Sequence, residues 1–433
     1  MSRPDLRTPS AAQDVAEFQE AEFREAEFRE LVRAAGTRSV DGAERWVLDR
    51  HVPASAIVEL ADAGLFRRRW DGGATGGLAH LIVLSQELFR CDSGLALAAM
   101  AHSEAFIGAL HRHARTDEQR SLLAAAFDGR AIGCFAATEA HGGSSLSDRL
   151  TVASRLPDGW RLTGTKRYVS NVGSASHAIV TARASDSADA DDLSLFVLPL
   201  DLPGVSVDGF FDTAGVQACD VGQISFNVEL PSGALLGSPG MGLLYASHML
   251  QFERLAICAQ LHSAAETALN LASAYARRRK LGGVRMMDKQ VIRHRLAHGR
   301  AELWNLQSRL AALVEIAVTE GRMPGHEIAA LKLTSGKAVS EIVDMCMQVF
   351  GARGNTSAYP LEKLLRDTRI ARIGGGTDEV LADAVAGVLD RPDLEAEAAL
   401  DRAASADLPN LGRRYAQDGP SRPAAARGSA PTL

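Results

Sequence analysis

SPGMGLLYASHMLQFERLAICAQLHSAAETALNLASAYARRR, residues 238–279, has the spacing of one long helix, with a carboxylate, Glu253, set among apolar residues. Residues three and four apart share a helix face, so Glu253 neighbours Met249, Leu250, Ala256 and Ile257, with Gln260 the next polar group along. A carboxyl in such dry surroundings is harder to ionise, which raises its pKa and suits a general base working near neutral pH. An ion pair or a solvated face is the alternative. Arg254 stands about 100° round the helix, so pairing between the two does not follow from spacing.

Working outward, the composition is that of an ordinary folded protein: 433 residues, 46% hydrophobic and 23% charged. That length points to two or three domains. No run of eighteen apolar residues occurs and the first twenty residues lack an apolar core, so neither a membrane span nor a secretion signal is expected, and the default location is cytoplasmic. A net charge of −6 lacks the basic footprint of a nucleic-acid binder. Five widely spaced cysteines, without a CxxC or Cys/His cluster, speak against a disulfide framework or a metal site.

The periodicity divides the chain in order. Residues 1–41 form an N-terminal helical arm containing AEFQEAEFREAEFRE, a five-residue repeat read as a solvated or frayed helix. Helical spacing marks an α domain over 42–132. Over 133–240 the segments are short, alternating and β-branched, such as HAIVTARA and LSLFVLPL, and five to eight strands of a β domain are expected. Helical spacing returns over 241–391 at lengths that suit a bundle. Residues 392–433, rich in Ala, Pro, Ser and charge, read as a mobile tail.

Four stretches resemble the acyl-CoA dehydrogenase family, and the likeness spans roughly residues 45 to 390. CFAATEAHGGSS, 134–145, resembles the family's Thr-Glu-Pro-x-Ala-Gly-Ser-Asp turn, which places Phe135, Ala137, Thr138, Gly143 and Ser144 against flavin and thioester; Ala140 and Ser145 depart from the usual proline and aspartate. LTGTKRYVSNVGSA, 162–175, is similar to Gly-x-Lys-x-Trp-Ile-Thr-Asn, which puts Tyr168 beside the flavin and the Ser170 hydroxyl at its polar edge. YARRRKLGGVRMMDKQ, 275–290, resembles the segment whose arginine, here Arg279, reaches a neighbouring subunit's cofactor, with Gly282 where an aromatic is usual. QVFGARGNTSAYPLEKLLRDTRIARIGGGTDEV, 348–380, resembles the closing turn and loop. By that likeness Gln348, Gly351 and Gly354 meet the partner subunit's cofactor, while Thr377 and Glu379 meet this subunit's own. The plainer reading of Gly374–Gly376 and Thr377 is a helix stop and the next N-cap, and both can hold.

Most members of the family carry the catalytic glutamate immediately before Gly-Thr, where this chain has Gly375. A smaller branch, the isovaleryl-CoA and long-chain acyl-CoA dehydrogenases, carries it on the helix after the β domain in a Glu-Arg-Leu context, and QFERLAIC matches that with Glu253. The resemblance implies an α+β fold with an N-terminal helical domain, a middle β-barrel-like domain and a C-terminal four-helix bundle. It implies FAD, α-proton removal from an acyl thioester by Glu253 with the β-hydrogen leaving as hydride to the flavin, and an enolate oxygen held at the Gly375 N–H. Ser144 and Arg254 fall on the substrate side. An acyl-CoA or acyl-carrier-protein substrate, an electron-transfer flavoprotein as acceptor and a homo-oligomer, dimer or tetramer, complete the expectation, with no nucleic acid, membrane or metal. A flavin-dependent monooxygenase or N-hydroxylase on the same fold is the alternative, and a non-catalytic helical interaction protein a third.

Overall fold

A computed structural model describes residues 11–144, 150–184, 193–390, 393 and 395–403, with side chains from residue 25 onward. Ser145 and most of the expected tail, 404–433, lie outside the described residues, and 395–403 is helical.

The N-terminal part is helical: α1 (Ala11–Ser39), α2 (Glu44–Asp49), α3 (Ala54–Asp62), α4 (Leu65–Trp70), α5 (Gly73–Gly76), α6 (Leu78–Cys91), α7 (Ser93–Met100), α8 (Gly108–His113) and α9 (Asp117–Phe127). Between α7 and α8 the chain passes through a π-helical segment, Ala101–Ile107. The whole of Ser93–His113 is long and apolar enough to cross a membrane, yet 83% of that apolar window is buried inside the protein, as in a core helix. The second half of α1 departs from the expectation of a solvated arm. Phe28, Val32 and Ala35 form an i, i+4, i+7 stripe that is wholly buried, and Arg29 and Arg33 both bond the buried Glu87 of α6.

The middle part is an eight-stranded sheet. Its strands are β1 (Gly133–Ala136), β2 (Val152–Leu156), β3 (Gly159–Ser170), β4 (His177–Ala184), β5 (Leu193–Pro199), β6 (Val205–Phe210), β7 (Val221–Pro231) and β8 (Leu235–Leu236). The order is β6-β7-β3-β2-β4-β5-β8, with β1 pairing β4 in parallel. The β3–β7 register shifts between Lys166 and Val169. That bulge leaves Tyr168 at φ +57°, a conformation an aromatic residue adopts only where its surroundings impose it.

Helices α10 (Gly242–Arg278), α11 (Gln290–Glu320), α12 (Gly325–Phe350), α13 (Leu361–Arg369) and α14 (Asp378–Leu389) form the last part, with a short β9–β10 hairpin (Lys280–Leu281, Val284–Arg285) after α10. Helix α10 is buried on most of its circumference, because α6, α11 and α12 all pack on it. Its start is pressed onto the sheet: Gly240 N–H donates to Ser194 Oγ at 2.9 Å, and a Cβ at Gly242 would lie 2.6 Å from the Leu193 carbonyl. The buried Asp367 of α13 ties the three parts together by accepting from Ser93 Oγ at 2.7 Å and from Val216 N–H at 2.6 Å.

Candidate active site

On α10, Phe252, Leu255, Ala256 and Ile257 are buried around Glu253. Glu253 itself is half-buried. Burial pushes its pKa up, and the charges of Arg254 and Lys332 offset only part of the rise.

Gly375 lies directly across from this carboxyl. A Cβ built on Gly375 would stand 3.8 Å from Glu253 Oε1, 3.5 Å from Arg254 Cγ and 3.0 Å from Ile257 Cδ1. The two positions at which the sequence resemblance would put a base therefore open on one space, and only one of them carries a carboxylate. Gly375 is buried with φ +67°, and its N–H meets no acceptor among the described residues. A buried amide without a partner is costly and uncommon, which marks it as a donor available to a ligand oxygen. Arg254 forms no ion pair with Glu253 within 4 Å; its Nε donates to the Gly375 carbonyl at 2.8 Å. Arg254 thus holds the loop as well as biasing the acid.

Sequence reading missed Lys332. Fully buried on α12, it donates from Nζ to the Gly376 carbonyl at 2.5 Å. Its helix-face neighbours Ile328, Ala329 and Gly336 made it as conspicuous as Glu253, a lone charge on an apolar stripe. Thr377 caps α14, its Oγ1 accepting from Val380 N–H at 3.4 Å, so the plainer N-cap reading applies. The exposed Glu379 carboxylate lies at the same helix start, its pKa lowered by its own backbone N–H and the Thr377 hydroxyl.

A second group lies where the ends of β1 and β3 run side by side. Arg167 N–H donates to the Thr138 carbonyl at 2.8 Å, which brings Phe135, Ala137 and Thr138 next to Tyr168 and Ser170. Lys166, buried one step before the bulge, reaches Glu139 Oε1 at 2.6 Å and Thr181 Oγ1 at 3.0 Å; Glu139 in turn accepts from the Leu150 and Thr151 amides. This buried pair fixes the strand ends from behind, a role the motif alone did not reveal. In front, Tyr168 is 57% exposed and packs on Phe211 with ring centroids 4.6 Å apart and planes tilted by 32°, while Gly143 and Ser144 are exposed. An aromatic face held outward in a strained bulge fits a planar ring such as a flavin's.

The third group is distant. Arg279 ends α10, twenty-six residues beyond Glu253, or about 39 Å at the helical rise. Tyr275 stacks on Phe350 with centroids 4.2 Å apart, and that contact brings Arg279 near Gln348 and Gly351 at the end of α12, with Gly354 in the following turn. Arg279 and Gln348 are exposed, and the Arg279 guanidinium has no ion-pair partner among the described residues. Such an arginine suits a phosphate. Its distance from Glu253 means that these residues cannot reach a ring held beside Glu253 of the same chain.

Comparison with known proteins gives the family. Residues 23–130, 134–228 and 240–389 match the models of the acyl-CoA dehydrogenase N-terminal, middle and C-terminal domains. The acyl-(acyl-carrier-protein) dehydrogenase MbtN of Mycobacterium sp. (strain MCS) is 31% identical over 364 residues, 83% of this chain and 90% of that protein. The mitochondrial short-chain specific acyl-CoA dehydrogenase of Bos taurus is 28% identical, over 79% of this chain and 84% of its own. Among solved structures, glutaryl-CoA dehydrogenase from Mycobacterium smegmatis superposes with a TM-score of 0.78 at 27% identity, covering 85% of this chain and 94% of its own. This chain belongs to the acyl-CoA dehydrogenase family of oxidoreductases.

Proposed function

We propose that this protein is an FAD-dependent dehydrogenase that introduces an α,β double bond into an acyl thioester, with Glu253 as the base. The observation that carries the reading is the shared space between the Glu253 carboxyl and the Gly375 backbone. FAD, when bound at Tyr168, Ser170, Phe135, Ala137 and Thr138, supplies the acceptor for the β-hydrogen. Everything else is done by the chain. Glu253 takes the α-proton into a carboxyl whose burial already favours the protonated form. The Gly375 N–H donates to the thioester oxygen, where negative charge grows as the proton leaves, and the Arg254 contact to the Gly375 carbonyl anchors the next peptide unit of the same loop. A glycine serves as well as any residue for this purpose, because the donor is backbone.

The carrier-protein relative, at 31% identity against 28% for the short-chain CoA enzyme, supports a carrier-protein thioester as substrate. The separation of Arg279, Gln348 and Gly351 from Glu253 supports a homo-oligomer in which these residues hold the cofactor of a second copy. Electrons leave through an electron-transfer flavoprotein. A monooxygenase would need no carboxyl beside Gly375, so that alternative has no observation in its favour.

The test is anaerobic titration of the purified yellow protein with octanoyl and palmitoyl groups, each on CoA and on carrier protein. Bleaching of the flavin with formation of the 2-enoyl thioester is expected, faster with the carrier-protein forms. A protein without flavin, or one bleached by no thioester, contradicts the reading.

A further inference from the structure

Three consecutive glycines, Gly374 to Gly376, form the loop opposite Glu253, with φ of +67° and +104° at the second and third. Glycine backbone has the widest choice of conformations, so this loop cannot hold one shape by itself. Two cations from different helices hold two successive carbonyls: Arg254 of α10 that of Gly375, and Lys332 of α12 that of Gly376. Lys332 is fully buried and has no carboxylate within 4 Å among the described residues, so the carbonyl is its hydrogen-bond partner. Burying an ammonium for the sake of one carbonyl is costly unless its position matters.

We infer that Lys332 is a positioning residue: it clamps the Gly376 carbonyl, two peptide units on from the Gly375 N–H, so that the three-glycine loop carrying that N–H keeps one shape, and it holds a positive charge near the Glu253 carboxyl. The catalytic meaning of the clamp rests on the function proposed above, but the clamp itself does not. The charges around Lys332 are consistent with this. Burial draws its pKa down to about 8, opposed by Asp378, the Cys258 thiol and Glu253 and assisted by Arg254. Arg372, also nearby, spends its charge on Asp378 at 2.6 Å. The ammonium is therefore charged at neutral pH and loses its proton within reach of ordinary buffers.

The experiment uses full-length, flavin-loaded protein and two variants, Lys332→Met, which removes donor and charge, and Lys332→Gln, which keeps a donor and removes charge. Amide hydrogen exchange is read by mass spectrometry on a peptide spanning 370–381. The Glu253 carboxyl is titrated by difference infrared spectroscopy with Glu253→Gln as the blank. Lys332→Met should speed exchange of the peptide by about tenfold, the worth of a charge-assisted hydrogen bond, without altering α10 or α11. Both variants should move the Glu253 titration upward by about one unit, the effect of losing a nearby opposite charge. In the wild type, protection of the peptide, corrected for intrinsic rate, should fall as pH rises through about 8. A lysine that only fills space would lower the melting temperature and leave the Glu253 titration and the wild-type pH dependence unchanged, which overturns the inference even if Lys332→Met fails to fold. Flavin bleaching that survives in Glu253→Gln would sink the base assignment and leave the clamp standing, so the two failures are distinguishable.

Discussion

If Glu253 and residue 375 open on one space, the base can be moved between them. The perturbation is Gly375→Glu placed in a Glu253→Gln background. The added Cβ would begin 3.8 Å from the site of Glu253 Oε1, so a glutamate growing from it enters the volume that the Glu253 carboxyl fills. Two costs oppose it. Residue 375 has φ +67°, worth about 1–2 kcal/mol against any residue but glycine. The new Cβ would also meet Ile257 Cδ1 at 3.0 Å, a methyl at the end of a flexible chain that can yield. Removing a general base costs about 10²–10⁴ in rate, whereas a strain of 1–2 kcal/mol reduces a population by about 5–30-fold. The double variant should therefore bleach its flavin at least about threefold faster than Glu253→Gln alone, as measured by anaerobic stopped flow with the best thioester of the titration panel. Gly375→Glu alone should be impaired at neutral pH, because two carboxyls so close together share a proton. A folded, flavin-loaded double variant no faster than Glu253→Gln would refute the shared-space reasoning.

Lys166→Met should destabilise the protein by about 3–5 kcal/mol in chemical denaturation, since it strands the buried Glu139. Adding Glu139→Gln should recover part of that loss; an additive loss would contradict the pairing. His51, hydrogen-bonded from Nδ1 to Asp220 Oδ2 at 3.1 Å, has its pKa raised by that contact against the opposing effect of burial. A raised folded-state pKa gives stability that is complete below the ordinary histidine value and lost as pH climbs through the folded one. The stability gap between wild type and His51→Gln should thus narrow as pH climbs above the ordinary histidine value, and a gap constant with pH would contradict the assignment.

Much of the architecture was legible because hydrophobic period changes from helical to alternating near Ala131 and back near Met241. Glu253 was legible for the same reason, as a charge on an apolar stripe. The α1 stripe of Phe28, Val32 and Ala35 was obscured by the five-residue repeat that overlaps it, which drew attention to Phe28 as one copy of three rather than as the start of a helical face. Tertiary pairing was beyond reach. That Arg254 grips Gly375 and Lys332 grips Gly376 depends on a loop more than a hundred residues away in the chain from one and about forty from the other. The positive φ of Tyr168 comes from a register shift between β3 and β7 that no local pattern announces.

The central claim is that Glu253 removes the substrate's α-proton. Its most direct measurement is the rate of anaerobic flavin bleaching by thioester in Glu253→Gln, a substitution that preserves shape and removes the base. The account predicts a yellow, folded protein that still binds the thioester but bleaches about 10²–10⁴-fold more slowly. Bleaching at the wild-type rate would contradict it and move the base elsewhere.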